Sequence, residues 1–67
     1  MKITYNSIKD ILNIIFKENT VVIESNEEKP GVIFDYDDND DLVSLEILDA
    51  SKRIDDIRKS NFEIIDE

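Results

Sequence analysis

Between residues 32 and 48 apolar and polar side chains alternate on both sides of an acidic turn, and nothing else in the chain restricts its fold as much. Val32, Phe34 and Tyr36 alternate with Ile33, Asp35 and Asp37; Val43, Leu45 and Ile47 alternate with Ser44, Glu46 and Leu48. A period of two belongs to a strand, so the segment predicts a β-hairpin. One face packs, and the other presents Asp35, Asp37, Ser44 and Glu46. Asp38-Asn39-Asp40 suits the turn, because Asn and Asp tolerate left-handed backbone.

The same region holds nearly all of the excess charge. Residues 35–50 carry seven acids (Asp35, Asp37, Asp38, Asp40, Asp41, Glu46, Asp49) and no base. Residues 1–34 and residues 51–67 each carry five acids and four bases, within a total net charge of −9. A polar acidic block would be a disordered tail. This one contains Tyr36, Leu42, Val43, Leu45, Ile47 and Leu48, so it reads as folded structure with an acidic edge.

At 67 residues the chain makes one domain with one thin core. Its charge has the wrong sign for a nucleic-acid binder that works through phosphate contacts. Cysteine and histidine are both absent, which removes thiolate zinc sites, disulfides and the commonest acid–base catalyst. No enzyme, cofactor or metal site is expected. No apolar run is long enough to span a bilayer and no signal peptide opens the chain, so a cytoplasmic protein is expected.

The flanking segments supply the remaining elements. Met1–Asn6 is β-prone, and Asn6-Ser7 signals a turn. Residues 8–16 fit two patterns. Ile8, Ile11, Leu12 and Ile15 have helical spacing behind a capping-box-like Ser7 and Asp10, while Leu12, Ile14 and Phe16 alternate as a strand does. Residues 21–25 alternate as a strand, and residues 26–31 read as a loop in which Pro30-Gly31 suits the centre of a type II turn. Asp49 is the expected N-cap of a helix over residues 50–60, with Ile54 and Ile57 as its apolar stripe and Lys52, Arg53, Arg58 and Lys59 as its basic cluster. Phe62, Ile64 and Ile65 belong either to a last strand or to an apolar tail that needs a surface to cover it.

The opening MKITY, Asp10, Leu12, Ile14, Phe16, Pro30-Gly31-Val32, Asp35-Tyr36-Asp37 and above all the run LEILDASKR resemble the small prokaryotic family DUF2283, over about residues 1–54. The resemblance implies a compact, mostly antiparallel β-fold and tips residues 11–16 toward strand. It implies no known activity. Members of the family resemble the second gene of a pair whose partner looks like a small ribonuclease-like toxin of the DUF4258 type, which suggests an antitoxin. The chain departs from the family pattern where the usual hairpin glycine is an acid, near Asp40, and where residues 55–67 extend past the usual end.

Other motifs have competing explanations. Asp35, Asp37, Asn39, Asp41 and Glu46 fall on ligand positions of an EF-hand calcium loop, but Asp40 stands where the sharp turn wants glycine and the flanks are strand-like. An acidic hairpin turn explains the same residues. Asp55 and Asp56 interrupt the basic helix cluster, so a solvated helix with internal ion pairs explains it better than operator DNA does.

The expected fold is α+β: an antiparallel meander of about five strands followed by a C-terminal helix. Residues 1–60 form a single DUF2283-like domain and residues 61–67 a C-terminal extension. The expected function is a non-catalytic antitoxin that neutralises a basic ribonuclease-like toxin by direct binding. Asp35, Asp37 and Glu46 would supply the charge, and Phe62, Ile64 and Ile65 an apolar anchor. A divalent-ion (calcium) module and a stand-alone structural or oligomerising domain, with a homodimer, are the alternatives. No membrane and no direct nucleic-acid contact is expected.

Overall fold

The computed structural model describes residues 1–55 and 63–65, the last three by their backbone. The elements are β1 (Lys2–Asn6), β2 (Ile11–Ile15), β3 (Glu24–Lys29), β4 (Val32–Tyr36), β5 (Leu42–Leu48), α1 (Ala50–Arg53) and β6 (Glu63–Ile65). They form one six-stranded sheet in the order β3-β4-β5-β2-β1-β6. The first five strands pair antiparallel, as the alternation predicts, and a short helix follows them. β6 adds a parallel partner on the outer side of β1, with Ile64 opposite Tyr5 and Ile65 opposite Asn6. No helix among the described residues is long and apolar enough to cross a membrane.

Residues 11–15 resolve as strand because Asn6 closes a turn over residues 7–10 before them. Its side-chain oxygen accepts the amides of Ile8 (3.1 Å) and Lys9 (2.9 Å). Asp10 then takes left-handed backbone at φ 57° and sends β2 back along β1. Ile8 is left 68% exposed, so the apolar residue that begins the helical spacing stays outside the core.

The register builds one apolar face. Tyr5, Leu12, Ile47 and Val32 form a row across four strands, and Ile3, Ile14, Leu45 and Phe34 form the next. Only part of this face is covered. Ala50, fully buried, packs on Tyr5 and Leu12, with Ile3, Ile47 and Ile54 around them. The opposite face is mixed: Thr4, Asn13 and Glu46 share one row, and Ile15, Ser44, Asp35 and Ser25 the next.

Three expectations need correction. The first concerns β3, expected at residues 21–25 with a loop to follow. It spans the polar run Glu24–Lys29 instead. The two-residue turn at Pro30-Gly31 sets this register: Gly31 has the positive φ (82°) that a type II turn demands, Lys29 stands opposite Val32, and Glu27 Oε2 accepts the Gly31 amide at 2.7 Å. Turn geometry has overridden the low β-propensity of ESNEEK.

The second correction is the cap. Asp49 is left-handed (φ 51°, ψ 44°) and makes no side-chain cap bond. The first amides of α1 are met by Asp10 instead, its carbonyl accepting from Ala50 (3.0 Å) and its carboxylate from Ser51 (3.0 Å). The third is the helix length. Ile54 turns extended (φ −125°, ψ 121°) and packs against the core, so α1 ends at Arg53. Ile57, Arg58 and Lys59 lie outside the described residues.

Candidate functional site

The acids expected on an open sheet face are mostly internal. Asp35, on β4, is 4% exposed, and its two oxygens accept the hydroxyls of Ser25 (2.5 Å) and Ser44 (2.7 Å). Glu46, on β5, is half-buried beside it and hydrogen-bonded to it. Burial alone would push the Asp35 carboxyl up, but the bonds from Ser25, Glu46 and Ser44 outweigh it and hold the group below its ordinary range. Glu46 moves the other way. Its bond to Asp35, then burial and the Asp35 charge, push it up to about 7. The two carboxyls therefore titrate as a pair, with Asp35 ionised while Glu46 keeps its proton to higher pH.

Asp37 is 6% exposed and closes the hairpin turn. Its Oδ1 accepts the amides of Asn39 and Asp41, each at 2.9 Å, and its Oδ2 accepts from the Lys17 ammonium. The Lys17 bond and those two amides hold the Asp37 carboxyl low, and the same bond raises Lys17. Asp40 adopts φ 62°, the left-handed position that glycine would fill, so the turn keeps its shape with an acid there. The EF-hand spacing thus resolves into unrelated duties. Asp35 serves the sheet, Asp37 serves the turn, and strands flank both. Among the described residues no group of three or more acids is placed to hold a metal ion.

The run LEILDASKR also turns out to hold the fold together. Asp10 accepts the Tyr5 hydroxyl at 2.6 Å and the Ser51 hydroxyl at 2.7 Å, which ties the β1–β2 turn to α1. These bonds, Tyr5 first, hold the Asp10 carboxyl below its usual range. Arg53 reaches back over the β3–β4 turn and donates to the carbonyls of Leu48 (3.0 Å) and Pro30. That guanidinium, counted in the expected basic cluster, is committed within the chain. Sequence reasoning missed Asp10 as an anchor because its partners are separated from it by up to 41 positions. It missed Lys17 because no local pattern ties it to Asp37.

What the sheet does present to solvent lies at one end. The register puts the end of β2, the start of β3, the end of β4 and the start of β5 together: Ile15 opposite Ser44, Glu24 and Leu42 both opposite Tyr36. The chain from Phe16 to Ile23 crosses this end, bonding to Val43 through the Phe16 amide and to Tyr36 through the Ile23 amide, both 2.8 Å. Phe16 is 42% exposed, Val21 74%, Val22 41% and Ile23 64%. Glu18, Glu24, Asp38, Asp40 and Asp41 are exposed beside them. Burial and the charges of Glu28, Asp40 and Glu24 raise the Tyr36 phenol, a sign of how negative this corner is. Alternation in residues 21–25 predicts a strand and carries no sign that these apolar side chains are exposed.

Of the other residues expected to bind a partner, Ile64 and Ile65 have their backbone in β6 on the opposite edge, and Phe62 lies outside the described residues. No curated protein and no solved structure matches the chain. The model of a family described as a protein of unknown function, DUF2283, matches residues 2–51, a stretch that runs from β1 to the Ser51 anchor, and the chain belongs to that family.

Proposed function

We propose that this chain is a non-catalytic binding module for a basic protein, acting in the cytoplasm as the antitoxin of a ribonuclease-like toxin. The observation that supports it is the uncompensated acid at the hairpin end. Glu18, Glu24, Asp38 and Asp40 face solvent there without a cation among the described residues, and exposed Asp41 shares Lys17 at 3.5 Å with Asp37, which holds it more closely. A protein that grips RNA is basic where it holds phosphate, and an acidic surface of this kind steers toward such a groove and occupies it. The carboxyl pair with separated affinities, Asp35 and Glu46, does not favour catalysis. Asp35 is 4% exposed and already accepts from Ser25, Ser44 and Glu46, so its carboxyl is not open to a substrate proton.

The burial of Asp35 and Asp37 moves the electrostatic contact from those residues to the exposed turn acids. The test has two steps. A basic protein that co-purifies with the tagged chain at a fixed ratio is isolated, and its RNA cleavage is measured with and without the chain. One equivalent should abolish cleavage, and Asp38→Lys with Asp41→Lys should weaken the complex tenfold or more at low salt. Cleavage that persists in the presence of excess chain would overturn the antitoxin reading.

A further inference from the structure

We propose that residues 21–29 form a strand-addition site for a basic, β-competent segment of a partner protein. The inference rests on the reading above and gives that reading a location. Every residue from Val21 to Pro30 is exposed, and β3 is the outermost strand on its side of the sheet. An edge strand offers a row of backbone donors and acceptors to a further strand. Among the described residues the amides of Val21 and Val22 find no backbone partner, although Ile23 is already bonded to Tyr36.

Natural edges are protected by charge and by bulges, and β3 has both: Glu24, Glu27 and Glu28, and a register shift between Glu27 and Lys29. That protection does not extend to Val21-Val22-Ile23. Three consecutive apolar side chains stand in water there, with Phe16 at the same end of the sheet. An apolar strip rimmed by charge is the anatomy of a protein interface. The charge selects the occupant. A second copy pairing along this edge would set Glu24, Glu27 and Glu28 against their own counterparts, which is repulsive. A segment that alternates apolar residues with lysine or arginine would instead meet those glutamates, and Asp38 and Asp40 beyond them.

The probe is a synthetic heptapeptide of alternating lysine and valine, titrated into the isotope-labelled full chain and followed through backbone amide signals. Its glutamate–valine counterpart is the control. The expected result is a saturable shift confined to residues 16–29 and 36–41, at least tenfold weaker for the glutamate peptide. Val21→Ser with Ile23→Ser, two exposed positions, should leave the spectrum folded and weaken the lysine peptide about tenfold. Shifts scattered over the surface, or equal affinity for both peptides, would overturn the proposal. So would concentration-dependent protection of residues 21–29 without peptide, which would give the edge to a second copy. A toxin complex unaffected by the double serine variant removes this site but not the antitoxin reading. A saturable peptide site in a chain that inhibits no ribonuclease supports the site and removes that reading.

Discussion

Asp10 is the residue at which the β1–β2 turn and α1 are joined by hydrogen bonds. It accepts from the Tyr5 hydroxyl, the Ser51 amide and the Ser51 hydroxyl, and its carbonyl accepts from Ala50. Removing it deprives Tyr5 and the first turn of α1 at once. Asp10→Ala should lower the thermal midpoint by roughly 5–10 °C. Tyr5→Phe, which takes away one bond from a buried ring, should cost only about 1 kcal/mol. If both changes had the same effect in denaturant titrations, the network would reduce to that single bond. The Glu46–Asp35 pair makes a prediction in pH. Folding raises Glu46 from its ordinary 4.5 to about 7, so the folded state holds a proton through that interval that the unfolded chain has released. Stability from this group therefore falls as pH rises from about 4.5 to 7. Asp35, held low, acts oppositely: its contribution is present above the ordinary carboxylate range and is lost as acid reprotonates it. The optimum lies in mild acid. Glu46→Gln keeps a donor for Asp35 without the second charge, so it should flatten the decline and exceed the wild type at pH 8 by about 1–2 kcal/mol after solvent screening. Urea midpoints measured across pH would show it, and parallel curves for the two proteins would refute it. None of this was legible from residue identities. Asp35, Asp37 and Glu46 were visible as acids on one face of a hairpin, but alternation does not tell which face is solvated when both are partly covered.

Elements were more legible than contacts. The hairpin from β4 to β5 lies where alternation put it, and Pro30-Gly31 forms a turn as expected, between β3 and β4. β3 was misplaced because strand-reading follows apolar residues. Here a fixed two-residue turn chose the pairing, drew Glu24–Lys29 into the sheet and left Val21–Ile23 off it. The Asp49 cap failed for a related reason: local sequence shows a capping residue but not a distant carboxylate that arrives first. Two turn substitutions follow. A Cβ at Gly31 would sit 2.5 Å from an Arg53 guanidinium nitrogen, on backbone at φ 82°. Gly31→Ala should therefore cost about 1–3 kcal/mol, from backbone strain and a displaced arginine. Asp40→Gly does the reverse. It places glycine on left-handed backbone and removes a charge from a crowded acidic turn, and it should raise the thermal midpoint by roughly 2–4 °C. A lowered midpoint for Asp40→Gly would mean that the aspartate side chain supports the turn in a way its φ does not reveal.

At the scale of the whole molecule, a single sheet with a four-residue helix is held by little burial. Tyr5, Leu12, Val43 and Ala50 are its only buried apolar residues among those described, and no large side chain there is fully enclosed. Such a core tolerates little opposition, yet the chain carries a net −9, crowded toward the hairpin end. Self-repulsion of that density opposes folding and is screened by salt. The acids at the turn are thus a cost to the isolated protein, and a basic partner would relieve the repulsion they cause. Raising sodium chloride from about 20 mM to 500 mM should increase the thermal midpoint of the wild type by several degrees as the Debye length contracts. Replacing Asp38 and Asp41 with lysine should capture much of that gain at low salt and leave less for added salt to provide. Lys17 limits the effect, since Asp41 is its second partner at 3.5 Å, whereas Asp37 remains to hold it. The variant should therefore be sturdier alone and poorer at binding a basic partner. If salt left the wild-type midpoint unchanged, the exposed acids would not be straining the fold, and their crowding at the hairpin end would lose its energetic link to partner binding.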